Sequence, residues 1–251
     1  MTERDDFYIG YAPLPASVRK LLLWFVPMLV LCVLGLAIIA PHLHFEQANS
    51  GRIQGVKEFE GLLLAQPSPH LLVPNPDAID EPFKVYPLSG TDKRLPKPAV
   101  MEHAGKWVKL NGILIGRNRY EMLAARSAEE ITVPAGATAL EVQTVSLGEV
   151  AIAGEIVDGK CYPGIMKPGR TKTHRSCAIR CISGGVPPIF RTQNTSGKSL
   201  YFLLSDLDGQ AVNDRILSMV ADPIQITSEV IQYGDSFILK ANPATYERLP
   251  A

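Results

Sequence analysis

Residues 21–40 (LLLWFVPMLVLCVLGLAIIA) carry no charge, whereas beyond residue 55 the chain alternates apolar and polar positions in short runs. The first pattern predicts a membrane-spanning helix, because ~20 residues at ~1.5 Å rise cross the ~30 Å hydrocarbon layer. Trp24 near one end suits the interface. Pro27 in the first turns predicts a modest kink, which membrane helices tolerate. A cleaved signal peptide fits less well, since the run is longer than a usual apolar core and meets Pro41 without a clean small-residue cleavage site. Arg19 and Lys20 abut the run, and no Lys or Arg follows until Arg52. The positive-inside rule therefore places residues 1–20 in the cytoplasm and residues 41–251 outside. In a bacterium that means a single-pass inner-membrane protein with a periplasmic body.

The second pattern predicts β structure, and the same unit twice. Residues 107–124 (WVKLNGILIGRNRYEMLA) and 223–241 (PIQITSEVIQYGDSFILKA) each read as a hairpin broken at a turn, Gly116-Arg117-Asn118 and Tyr233-Gly234-Asp235. A strand precedes each, at 83–88 and 200–204. Lys84 to Val108 and Leu200 to Ile224 both span 24 residues. Further upstream lie 59–64 (FEGLLL) and 152–157 (IAGEIV), each with a glycine. About five short strands per unit suit a small closed barrel of the OB type. The expected fold is mainly β: an N-terminal transmembrane helix, a linker over 41–54, then tandem OB-like barrels over 55–147 and 148–251. Residues 214–220 (DRILSMV) are expected to supply a short helix with Asp214 as its cap. The Pro-rich residues 65–82 read as an extended loop.

Lys plus Arg and Asp plus Glu number 25 each among 251 residues. Zero formal charge argues against a nucleic-acid partner, which needs a basic surface. No Walker, dinucleotide or haem-attachment motif occurs.

The two units differ by an insertion. Gly61 to Lys84 is 23 residues, but Gly154 to Leu200 is 46, and the surplus holds C-x12-H-x2-C-x3-C: Cys161, His174, Cys177 and Cys181. His174, Cys177 and Cys181 lie at i, i+3 and i+7 and share a face if 173–182 is helical. Gly184, Gly185, Pro187 and Pro188 would end that helix. Three chemistries fit. The four residues suit tetrahedral Zn, and Met166 as a further ligand would favour Cu(I). Alternatively Cys161 pairs with Cys177 or Cys181 in a disulfide closing a loop of roughly 15–20 residues, worth ~3 kcal/mol, with one thiol left over. In the third, a cysteine is a nucleophile with His174 as base; no third orienting group is evident, and Asp158 reads as a turn residue. Lys167, Arg170, Lys172, Arg175 and Arg180 make the segment basic: a solvated rim, or a docking face for an acidic redox partner.

Asp158, Cys161, Tyr162, His174, Cys177, Ala178, Cys181, Gly184, Gly185 and Pro187 form a pattern D-x-x-C-Y…H-x-x-C-A-x-x-C…G-G-x-P. It resembles that of poorly characterised bacterial envelope proteins built from OB-like β-barrels. The resemblance implies that fold and a metal or redox role, and names no substrate. The expected function is a membrane-anchored periplasmic accessory or assembly subunit of an envelope redox system, with a partner protein there. The alternatives are a docking module with a disulfide-pinned loop and a thiol- or metal-dependent redox enzyme. Elsewhere, His42, His44 and Glu46 read as interfacial residues after the span, His70 and His103 as isolated histidines, and Cys32 as a small apolar residue. Asn194-Thr195-Ser196 fits the glycosylation pattern, which a bacterial protein would not use.

Overall fold

The structure, a computed structural model, describes residues 14–47, 51–76, 81–133, 144–164 and 166–250, without the side chains of 44–47. It forms two units, residues 1–49 and 50–251. In the first, α1 (Ala16–Gln47) contains an apolar stretch, Ala16–Leu43, long and apolar enough to cross a membrane. The stretch includes the predicted 21–40, and Cys32 and Trp24 lie exposed along it. The helix continues through Pro41, past its expected end. A proline removes one N–H and crowds the preceding turn, which bends a helix without having to end it. Most of the expected cytoplasmic tail (1–13) and the side chains of His44 and Glu46 lie outside the described residues.

The second unit is mainly β and contains two closed five-stranded barrels. The first is built from β1 (Arg52–Leu64), β2 (His70–Pro74), β3 (Phe83–Ser89), β4 (Trp107–Arg117) and β5 (Tyr120–Glu130), in the order β1-β2-β3-β5-β4 and back to β1. A single turn, α2 (Pro98–Met101), lies between β3 and β4. The second barrel uses β6 (Thr144–Asp158), β7 (Pro188–Gln193), β8 (Ser199–Ser205), β9 (Pro223–Tyr233) and β10 (Ser236–Lys240), in the order β6-β7-β8-β10-β9 and back to β6. Between β6 and β7 stands α3 (Arg175–Ser183), and β11 (Glu247–Arg248) extends β9's second edge. In both barrels the third and fifth strands run parallel and every other pair is antiparallel. The repeated unit therefore has one topology.

One device recurs in both copies. Gly61 pairs with Val108, and Gly154 with Ile224. A Cβ on Gly61 would lie 2.2 Å from the Leu72 carbonyl oxygen, and one on Gly154 2.3 Å from that of Arg191. At each point the second strand crosses close over the first, and only glycine leaves room.

Several boundaries differ from expectation. β1 starts at Arg52, so the first barrel reaches into the expected linker. The division at 147/148 falls inside β6, whose first half is exposed although it carries Val145 and Leu147. Residues 65–82 are not all loop: β2 lies there, with Leu71 and Leu72 fully buried, because its prolines fall outside the strand or at its last position. Residues 213–219 form two 3-10 turns, Asn213–Arg215 and Leu217–Met219, with Asp214 inside the first and not at its cap. The Asn213 side-chain amide is drawn to the Ile182 and Val186 carbonyls at 2.8 and 3.0 Å.

The two tandem barrels pack against each other. Each has its own apolar core, and a further cluster joins Leu72, Phe83, Ile115 and Met122 of the first to Val157, Ile189, Leu203 and Tyr233 of the second. Each fully buried large side chain there is worth ~1.5–3 kcal/mol. Polar bonds set the register of the junction. The His70 ring, fully buried, meets the Tyr233 hydroxyl at 2.8 Å through Nε2 and the Ser68 carbonyl at 2.7 Å through Nδ1. Asp235 accepts from the Val85 N–H at 2.8 Å. Arg117 stacks over Tyr162, 4.6 Å from the ring centre, and donates to the Tyr162 carbonyl at 3.1 Å.

Candidate metal centre

The expected helix forms as α3, and its end follows from sequence. The Gly185 N–H bonds the Ile182 carbonyl and the Val186 N–H bonds that of Cys181, with Gly185 at φ +93°. This Schellman closure needs a left-handed residue, which glycine supplies. Ala178, Cys181 and Ile182 form the buried face, and His174 stands at the N-terminus. Cys161 comes from the turn after β6.

That turn is set by Asp158, the last residue of β6 and fully buried. Its Oδ1 accepts from the N–H of Cys161 at 2.5 Å and of Lys160 at 3.3 Å. Its Oδ2 meets His174 Nε2 at 2.9 Å. A ring nitrogen, the Cys161 sulfur and a carboxylate oxygen lie within 4.8 Å of one another. With Nε2 held by the carboxylate, Nδ1 is the ring nitrogen that remains to ligate an ion. Asp158 is thus both the expected turn residue and the orienting group that the sequence did not reveal.

The structure gathers Cys161, Cys177 and Cys181, with their sulfurs within 4.8 Å of one another, and a second group of Asp158, Cys161 and His174 overlaps it. Cys161 Sγ lies 3.6 Å from Cys181 Sγ and 3.9 Å from Cys177 Sγ. All described cysteines are free, so the expected disulfide is not formed. The separations are those of ligands around one centre: tetrahedral Zn–S bonds of ~2.3 Å put neighbouring sulfurs about 3.8 Å apart. Met166 is an exposed side chain.

Charges divide unevenly among these groups. His174 is raised to about 10, chiefly by its bond to Asp158 and then by Cys161. The Cys161 thiol is lowered to about 5, first by its hydrogen bond with Cys181 and also by His174, against the cost of burial. Cys181 is pushed far upward by donating to Cys161 and by burial. The hydrogen bonds thus favour the thiolate at Cys161 and the protonated form at His174 and Cys181.

The first barrel closes over this cluster through residues 90–95. Lys93 Nζ lies 3.0 Å from Cys177 Sγ, and that sulfur raises the lysine's pKa. Lys160, half-buried and lowered by desolvation, reaches back to the carbonyls of Gly90 at 2.5 Å and Asp92 at 2.6 Å. Leu95 N–H bonds the Gly184 carbonyl at 2.9 Å. Lys93 carried no sequence signal, since it stands 84 residues from Cys177 and in the other barrel. Of the basic residues read from the segment, Arg175 is tied to Asp222 at 2.8 Å and Arg170 lies 3.9 Å from Glu155, whereas Lys172 and Arg180 are exposed.

The other candidates fall away from the cluster. His70 is a satisfied histidine of the barrel junction. His103 has a buried Nδ1 without a hydrogen-bond partner. Asn194, Thr195 and Ser196 are exposed after β7. No protein-family model matches the chain, and no curated protein matches it in sequence.

Proposed function

We propose that this chain is a membrane-anchored, extracytoplasmic protein that holds one thiophilic metal ion through Cys161, Cys177, Cys181 and His174. It would serve as an accessory subunit of an envelope redox system. The observation that carries the metal reading is the sulfur geometry, with separations of 3.6 and 3.9 Å around Cys161 and a carboxylate-oriented histidine alongside. A carboxylate behind a ligating imidazole is the usual support of a bound metal. The donor set favours Zn over Cu(I) on charge. Three thiolates and Asp158 carry four negative charges, Lys93 and Lys160 return two, and a divalent ion neutralises the remainder. Binding would also protect thiols in an oxidising compartment.

The accessory role rests on where the site stands. Cys161 and Cys177 are only half-buried, so the ion lies within reach of a partner. Lys93, Lys172 and Arg180 are exposed cations on or beside this segment, suited to an acidic surface.

Native mass spectrometry of the full chain in detergent, combined with alkylation, tests the metal. The expected result is a mass excess of one Zn, with three body thiols that alkylate only after acid or chelator. Freely reactive thiols with no bound ion, in protein reconstituted with Zn, would refute the site.

A further inference from the structure

The same sulfurs allow a second chemistry. Cys161 Sγ stands 3.6 Å from Cys181 Sγ, so a bond of ~2.05 Å requires closing by only about 1.5 Å. Cys161 sits at a turn and is half-buried, whereas Cys181 is fully buried behind it. Cys177 is engaged differently, by Lys93 at 3.0 Å. One sulfur is therefore presented outward with a buried neighbour ready to resolve it, and the third is held aside.

We propose that Cys161 and Cys181 form a dithiol–disulfide couple that exchanges with a disulfide on a partner protein. The proposal rests on the cluster geometry described above and not on metal occupancy, although closing the bridge would remove two ligands and release a bound ion. In the first step the Cys161 sulfur, its proton held on His174, attacks one sulfur of the partner's disulfide. A mixed disulfide forms, the partner's S–S bond breaks, and its second sulfur leaves as a thiol with the proton from His174. In the second step Cys181 attacks the Cys161 sulfur of the mixed disulfide. The Cys161–Cys181 bond forms, the bond to the partner breaks, and the remaining partner sulfur leaves with the Cys181 proton. Two thiols of this chain are oxidised, and one partner disulfide is reduced to two thiols. Asp158 orients His174 through its 2.9 Å bond.

Oxidised glutathione is the probe. Metal-free full-length protein in detergent is equilibrated with reduced and oxidised glutathione, trapped by acid and alkylation, and digested with trypsin. Cleavage after Lys160, Arg170, Arg175, Arg180 and Arg191 puts the three cysteines in separate peptides, 161–170, 176–180 and 181–191. The expected product joins 161–170 to 181–191 and leaves Cys177 alkylated. Cys177→Ser keeps that bridge, and Cys181→Ala stops at the mixed disulfide on Cys161. A bridge to Cys177 instead, or three free thiols in excess oxidised glutathione, would overturn the couple. The metal reading fails separately, by absence of Zn uptake in the reduced protein.

Discussion

His70 makes the fused junction sensitive to acid. The ring is fully buried; Nδ1 faces the Ser68 carbonyl at 2.7 Å and must carry the proton there, so Nε2 accepts from the Tyr233 hydroxyl at 2.8 Å. Desolvation lowers its pKa from 6.5 to about 4, opposed by the bond to Ser68. Between those values the unfolded chain binds a proton that the folded one does not, so stability falls as pH drops through that window. At ~1.4 kcal/mol per unit, the loss is about 2 kcal/mol from pH 7.5 to 5 and approaches about 3 kcal/mol below pH 4. His174 runs the other way. Its pKa is raised to about 10, so in metal-free protein its contribution is complete below 6.5 and fades as pH rises toward 10. Wild-type stability alone mixes the two. The informative quantity is the difference between wild type and His70→Gln, from urea unfolding of the second unit in the full chain at pH 7.5, 6 and 5. The variant starts lower, because glutamine cannot meet Ser68 and Tyr233 at the places of both ring nitrogens, but the gap should narrow by about 2 kcal/mol toward pH 5. A gap that stays constant with pH would refute the buried neutral histidine.

Other outcomes follow from the same geometry. Asp158→Asn keeps the side-chain size but removes the charge behind His174, and Zn affinity by chelator competition should fall about 10–100-fold; unchanged affinity would deny Asp158 its orienting role. Lys93→Met removes an exposed ammonium from Cys177, so affinity should fall no more than about fivefold, and the difference should shrink at high salt. A larger, salt-independent loss would mean that Lys93 holds the loop structure instead. Gly61→Ala and Gly154→Ala each press a methyl group onto a neighbouring carbonyl, and each should cost at least about 1–3 kcal/mol in urea unfolding; a neutral variant at either position would break the equivalence of the two barrels there.

The hairpins and the site helix were legible because they depend on local periodicity. Alternation marks β4–β5 and β9–β10, and spacing by three and four marks the face of α3 bearing His174, Cys177 and Cys181. β2 and the outer half of β6 were not legible, since one is set among prolines and the other has no buried face of its own. His70 shows the same limit: a single histidine in a Pro-rich stretch says nothing of Tyr233, 163 residues away.

By itself the sequence determined an apolar span, a doubled β unit with its glycines, and an insertion that brings soft ligands close along the chain. Each is a matter of order over a few residues or of matched spacing. Tertiary structure alone decided that the barrels share a core, that Asp158 turns His174 toward Cys161, that the cysteines stand as free thiols at ligand-like separations, and that Lys93 arrives from the other barrel. Those outcomes depend on which surfaces meet when both barrels close. Burial then favours neutral His70, while hydrogen bonds raise His174 and lower Cys161 against burial, and neither packing nor long-range bonding is written in local spacing.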